Sequence, residues 1–268
     1  MNKNRGSQSS RGLPKARRSK TTSPRRWNCT SRIFAESPAG PHPFSWTRPA
    51  AILEVTSNAA AFTDDEFALF ARFPELRTLT LWHNGGFDGS GLAHLQKLPR
   101  LERITLAGGG LADAGLREAA KISTMKELRA WHARFSDAGI AALRGHPALE
   151  SIAVGPSWEN LLTDKTLESL AACPKLKKLS ITETWLTWEG GLRHLVKCKD
   201  LTKIDLGNCL IAPAEVERLR REMPAAAIEW RGWGAAGSDF SKKWVRSKAE
   251  AWIPNEMIEK AIAESGAK

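Results

Sequence analysis

The spacing L-x-x-L-x-L is carried by Leu101, Ile104 and Leu106 and again, 24 residues later, by Met125, Leu128 and Ala130. In both copies a hydrophobe stands ten residues after the first (Leu111, Phe135), with an Asp two further on (Asp113, Asp137). A Gly and an aliphatic residue complete each copy (Gly115-Leu116, Gly139-Ile140). A fixed period in the twenties leaves room for one strand and one short helix per unit. Such a unit cannot bury its apolar side alone, so the copies must stack in series as turns of a solenoid.

The register extends in both directions. An opening unit runs through Ile52, Val55, Ser57, Phe62, Asp64 and Phe67, and a second through Leu76, Leu79, Leu81, Phe87, Leu92 and Leu95. The fifth begins Leu149, Ile152, Val154 and carries three extra residues around Pro156-Ser157-Trp158 before Asp164, Leu167 and Leu170. The sixth (Leu176, Leu179, Ile181, Leu186, Leu192, Leu195) has Trp188 where most others have Asp. The seventh (Leu201, Ile204, Leu206, Ile211, Val216, Leu219) has Pro213 there, and Ala225, Ile228 and Trp230 fit one closing strand. The expected fold is an α/β solenoid, a right-handed β-α superhelix of about seven repeats plus a closing strand. Strand hydrophobes point inward, and the helix pair fills the same core from behind. Asp64, Asp113, Asp137 and Asp164 are expected to be structural, as N-caps of their own helices. Acids one repeat apart lie on successive coils rather than around one substrate.

These repeats resemble leucine-rich repeats of the 24-residue bacterial kind, with an L-x-D-A-G-L helix start, and are similar to the cysteine-containing subclass. The match covers about two-thirds of the chain. Asn84 and Cys209 stand at the ninth position, where the family's Asn/Cys ladder lies, while Ala60, Gly109, Ala133, Ser157 and Thr184 occupy it elsewhere. The resemblance implies a recognition scaffold and leaves its partner open.

The net charge of +11 is not spread over the repeats. Residues 1–47 hold ten Lys/Arg against Glu36 alone, and residues 48–231 hold 24 against 23 acids. Three segments are therefore expected: a disordered basic arm over 1–47, the repeat domain over 48–230, and a linker with a helical cap over 231–268. In the cap, Phe240, Trp244, Lys248 and Trp252 are spaced four apart, which suits closure of an open solenoid end. The arm is densest in cations at Arg17, Arg18, Lys20, Arg25 and Arg26, a set that could contact the phosphates of a nucleic acid. No apolar run reaches membrane-span length and no apolar core follows the basic start, so a cytoplasmic protein without a membrane partner is expected.

No phosphate loop, nucleophile elbow or H-E-x-x-H set occurs, so neither catalysis nor a cofactor is expected. Cys29, Cys173, Cys198 and Cys209 form no C-x-x-C pair and read as buried thiols. His94 and His194 recur in the same helix context (GLAHL, GLRHL), which makes them products of the repeat. Gly108-Gly109-Gly110 reads as a tight turn.

One feature exceeds the template. Residues between the buried strand positions face the concave side, and there Trp82-His83 and Trp131-His132 occupy matching places two repeats apart. With Arg103, Arg129 and Trp185 they form the candidate protein- or peptide-binding set. Trp and Arg concentrate binding energy at interfaces, because one large group buries much area at small entropic cost. The alternative is that each Trp ring folds back over its own loop.

Overall fold

A computed structural model of the protein describes residues 52–58, 62–83, 85–155 and 162–231. The basic arm with its five dense cations, Asn84, Trp158 and the proposed cap with Trp244 and Trp252 lie outside the described residues.

Eight strands form one sheet in sequential order, every neighbouring pair parallel. They are β1 (Glu54–Asn58), β2 (Thr78–Trp82), β3 (Arg103–Ala107), β4 (Glu127–Trp131), β5 (Ser151–Val154), β6 (Lys178–Ile181), β7 (Lys203–Asp205) and β8 (Ala227–Glu229). The pairing register follows the sequence template: Leu79 lies beside Ile104, Ile104 beside Leu128, Leu128 beside Ile152, and so on to Ile228. These aliphatic columns are buried from β2 to β7, as are the helix columns behind them, such as Leu92, Leu116, Ile140, Leu167 and Leu192. The result is one continuous apolar interior between sheet and helices.

The helical side is less regular than the strands. The first two repeats use 3₁₀ turns (Asp64–Glu66 leading into α1, Phe67–Phe70, then Ser90–Leu95). The next three use short α-helices: α2 (Asp113–Ala119), α3 (Asp137–Ala141) and α4 (Asp164–Leu170). In the sixth repeat five residues instead of four separate Leu186 from Leu192. The surplus is absorbed as a π turn over Trp188–Leu192, in which Leu192 N–H donates to Thr187 O five residues back at 3.0 Å. It continues into α5 (Arg193–Leu195), and α6 (Pro213–Glu222) starts with proline in its first turn.

The Asp column corrects the capping expectation. Asp113, Asp137 and Asp164 are first helical residues, and the caps that accept a helix N–H are Ser136, Thr163 and Thr187. The carboxylates reach across to the next coil. Asp113 accepts Ser136 N–H and Oγ–H at 2.7 and 2.8 Å, and Asp137 accepts Thr163 N–H and Oγ1–H at 3.0 and 2.6 Å. Asp164 accepts the same two groups of Thr187 at 2.9 and 2.7 Å. Asp64 takes the N–H groups of Asp88, Gly89 and Gly91. Each carboxylate thus holds the cap of the following helix in place, joining consecutive coils through charge-assisted bonds. Burial pushes the Asp164 carboxyl above its ordinary range, opposed by its bonds to Thr187.

The paired glycine has a steric reason. A Cβ on Gly139 would lie 2.5 Å from Asp113 Oδ1, so at this coil the helix start sits on the preceding Asp because it has no side chain there. In the fifth repeat Thr166 occupies this place and donates to Asp137 Oδ1 at 2.6 Å instead. Where Trp188 replaces Asp, the ring is buried (6% exposed) and the Arg218 guanidinium of the next coil lies 3.9 Å from its centroid. A cation–π contact joins those coils where the others use a carboxylate.

Candidate functional site

Alternation along each strand turns every second residue to the concave face. The seventh template position, at the strand exit, carries Trp82, Ala107 and Trp131 on β2, β3 and β4, aligned by the register. Strands two apart are separated by roughly 9.6 Å, twice the usual spacing. The two indole rings nevertheless have centroids 6.1 Å apart and an interplanar angle of 8°, so they lean together. Between them Ala107, the smallest chiral side chain, is only 4% exposed. The rings do not each fold over their own loop; they close over the residue between them. Trp82 keeps 36% of its surface exposed.

In five of the repeats the next residue turns the chain out of the sheet in a left-handed conformation: His83 (φ 52°), Gly108 (φ 64°), His132 (φ 49°), Glu183 (φ 55°) and Asn208 (φ 54°). Non-glycine residues pay a modest strain there. The His83 ring lies against Gly108, where an added Cβ would meet its Cδ2 at 2.7 Å. Burial raises the Glu183 carboxyl above its ordinary range, and the nearby His132 partly offsets this.

The remaining candidates divide. Arg103 donates from Nε to Thr78 Oγ1 at 3.0 Å, and Arg129 is ion-paired with Glu127 of its own strand. Both are exposed on the concave face, Arg129 two residues before Trp131 and Arg103 at the opposite end of its strand. Trp185 stands apart, two coils beyond Trp131, where its backbone bridges to Leu210, and it is half-buried.

Sequence reasoning missed Ala107, whose size decides whether the rings can meet, and the buried His146. His146 is 3% exposed; its Nε2 lies 3.1 Å from Ile122 O, and its Nδ1 accepts the N–H groups of Ala148 and Leu149. This arrangement requires the neutral ring protonated at Nε2, and burial holds its pKa below the ordinary value. It occupies the same place after its helix as Leu98, Ile122, Cys173 and Cys198, which was the available signal. The three described cysteines are buried, and burial raises each thiol, that of Cys209 to about 12. Among the described residues, no group of three or more His, Cys, Asp and Glu is placed to hold a metal ion, and no helix is long and apolar enough to cross a membrane.

Two curated relatives match the chain in sequence. F-box/LRR-repeat protein 12 of Homo sapiens is 30% identical over 181 residues, covering 66% of this chain and 52% of that protein. The chain is a leucine-rich-repeat protein. The Bos taurus protein of the same name is 29% identical over 184 residues, with the same coverage. This leucine-rich-repeat chain therefore spans about half the length of the curated relatives it matches. No protein-family model matches it. Among solved structures, internalin C2 of Listeria monocytogenes has a TM-score of 0.45 and 16% identity, covering 67% of this chain and 80% of its own.

Proposed function

We propose that this leucine-rich-repeat protein is a non-enzymatic scaffold that binds a protein or peptide through its concave face and strand-exit edge. One observation carries the reading. Trp82 and Trp131 are stacked and partly exposed on the face that contributes nothing to the interior, with Arg129 beside Trp131 on the same strand. A stacked pair presents a large apolar surface that is already ordered, so little entropy remains to be lost on binding. Its backing by a rigid parallel sheet fixes its position further.

The test is a peptide-display selection on the full chain, repeated with the Trp82→Ala, Trp131→Ala double variant. The expected outcome is a set of ligands whose affinity falls about tenfold or more in the variant, as for interface hot spots. Thermal unfolding of the variant should shift by only a few degrees, since both rings lie outside the core. Ligands that ignore the substitutions would contradict the proposal.

A further inference from the structure

The concave face carries a second feature at the opposite end of the same strands. A shallow hollow of about 190 Å³ opens over Ser151, with Arg103 and Glu127 on one side and Lys178 on the other. The row across the sheet at that level is Arg103, Glu127, Ser151, Lys178, and the hollow exists because Ser151 is the one short side chain in it.

Its charge is unbalanced. Lys126 pairs with Glu102 and Lys177 with Glu150, both at 2.9 Å, and Glu127 is taken by Arg129. The lysine contacts hold the Glu102 and Glu150 carboxyls below their usual range, so these acids are ionised and neutralised. That accounts for every carboxylate lining the hollow. Arg103, whose Nε donates to an uncharged hydroxyl, and Lys178 remain as cations in excess. A hollow with excess positive charge complements an anionic side chain.

From the level of Arg103 to that of Ala107 is four residues, or about 13 Å along the strand, and the centres of hollow and ring pair are about one and a half to two strands apart, or roughly 7–10 Å. The diagonal of about 15–16 Å matches four or five residues of an extended peptide. The row at the level between them is Thr105, Arg129, Ala153, in which Arg129 is held by Glu127 of its own strand.

We infer that the concave face binds an extended peptide carrying a carboxylate side chain over Ser151, between Arg103 and Lys178, and an aromatic side chain on the Trp82–Trp131 pair, four or five residues apart. The flat faces of two parallel indoles favour a ring over an aliphatic chain, because a ring can stack on them. This rests on the recognition reading above and adds the chemistry of the partner.

The experiment uses fluorescein-labelled dodecapeptides and the full chain, read by fluorescence anisotropy at low salt. One peptide carries a glutamate and a tryptophan with the inferred separation. Its controls replace the glutamate by lysine, replace the tryptophan by alanine, or place the two residues side by side. The first peptide should bind about tenfold tighter than each control. Its margin over the alanine control should vanish in the Trp82→Ala, Trp131→Ala variant, and Arg103→Glu with Lys178→Glu should turn the preference toward the lysine peptide. Circular dichroism verifies that the variants are folded. Equal binding of all four peptides, or a margin over the alanine control that survives loss of both rings, overturns the inference. If display ligands depend on the two Trp residues yet lack the acid–aromatic pattern, the partner chemistry falls and the recognition reading stands. If no ligand depends on them, both fall.

Discussion

At the residue scale, His146 shows how a stacked fold can bury a titratable group without leaving it unsatisfied. Its two ring nitrogens serve three backbone groups, but only in the neutral form. Burial disfavours the imidazolium, so the folded chain binds the proton less readily than the unfolded chain, whose ring titrates near 6.5. Above that pH both states hold a neutral ring and the contribution to stability is intact. As pH falls from 6.5 toward the depressed folded value, the unfolded state takes up the proton first and stability is lost. Thermal melts from about pH 7.5 to about pH 5 should therefore fall more steeply for the natural chain than for His146→Gln, which keeps a donor and an acceptor without a charge. Identical slopes would contradict a buried neutral histidine. Residues like this are hard to read in a sequence: His146 fills a column held by Leu, Ile and Cys in other repeats, and one substitution in a column does not say whether the position is inside. The left-handed residues are hidden for a related reason. Only Gly108 announces such a turn, whereas His83, His132, Glu183 and Asn208 adopt it because the stack imposes it.

At the scale of single elements, the strands were legible and the helices only partly so. Three hydrophobes at fixed spacing specify which side of each strand faces inward, and every strand pairs in the register the template implies. The helical segments have few residues, so their form depends on what the neighbouring coil offers. The Asp at each helix start was read as a local cap, whereas its partners lie 23 to 29 residues away on the next coil. No local pattern contains that distance. The close approach that makes it possible rests on the glycine two residues after Asp. Gly139→Ala should lower stability by about 1–3 kcal/mol, because the new methyl group is driven against Asp113 and Leu116. Gly85→Ala, where an added Cβ meets nothing within 4 Å, should cost close to nothing. Urea midpoints of the two variants decide it; equal effects would mean that the coils are not packed through their helix starts.

At the scale of the whole molecule, the sheet separates two tasks. One side supplies columns that bury against the helices and couple each coil to the next, so stability is built up along the stack. The other side adds nothing to that interior and is available to carry Trp82, Trp131 and the charged row at the opposite strand ends. The coincidence of the two Trp-His pairs was visible in the sequence as a register match two repeats apart. Their contact was not, because it depends on the small residue of the coil between them. Ala107 is therefore the position at which surface and core can be told apart. In Ala107→Leu both indoles remain, but a larger side chain stands between them and the stack must open. The measurement is the affinity of this variant for peptides selected by display on the natural chain, taken alongside its melting temperature. The account predicts an affinity loss of about tenfold with a melt lowered by only a few degrees. Unchanged affinity with the rings forced apart would contradict a recognition site built on their stacking.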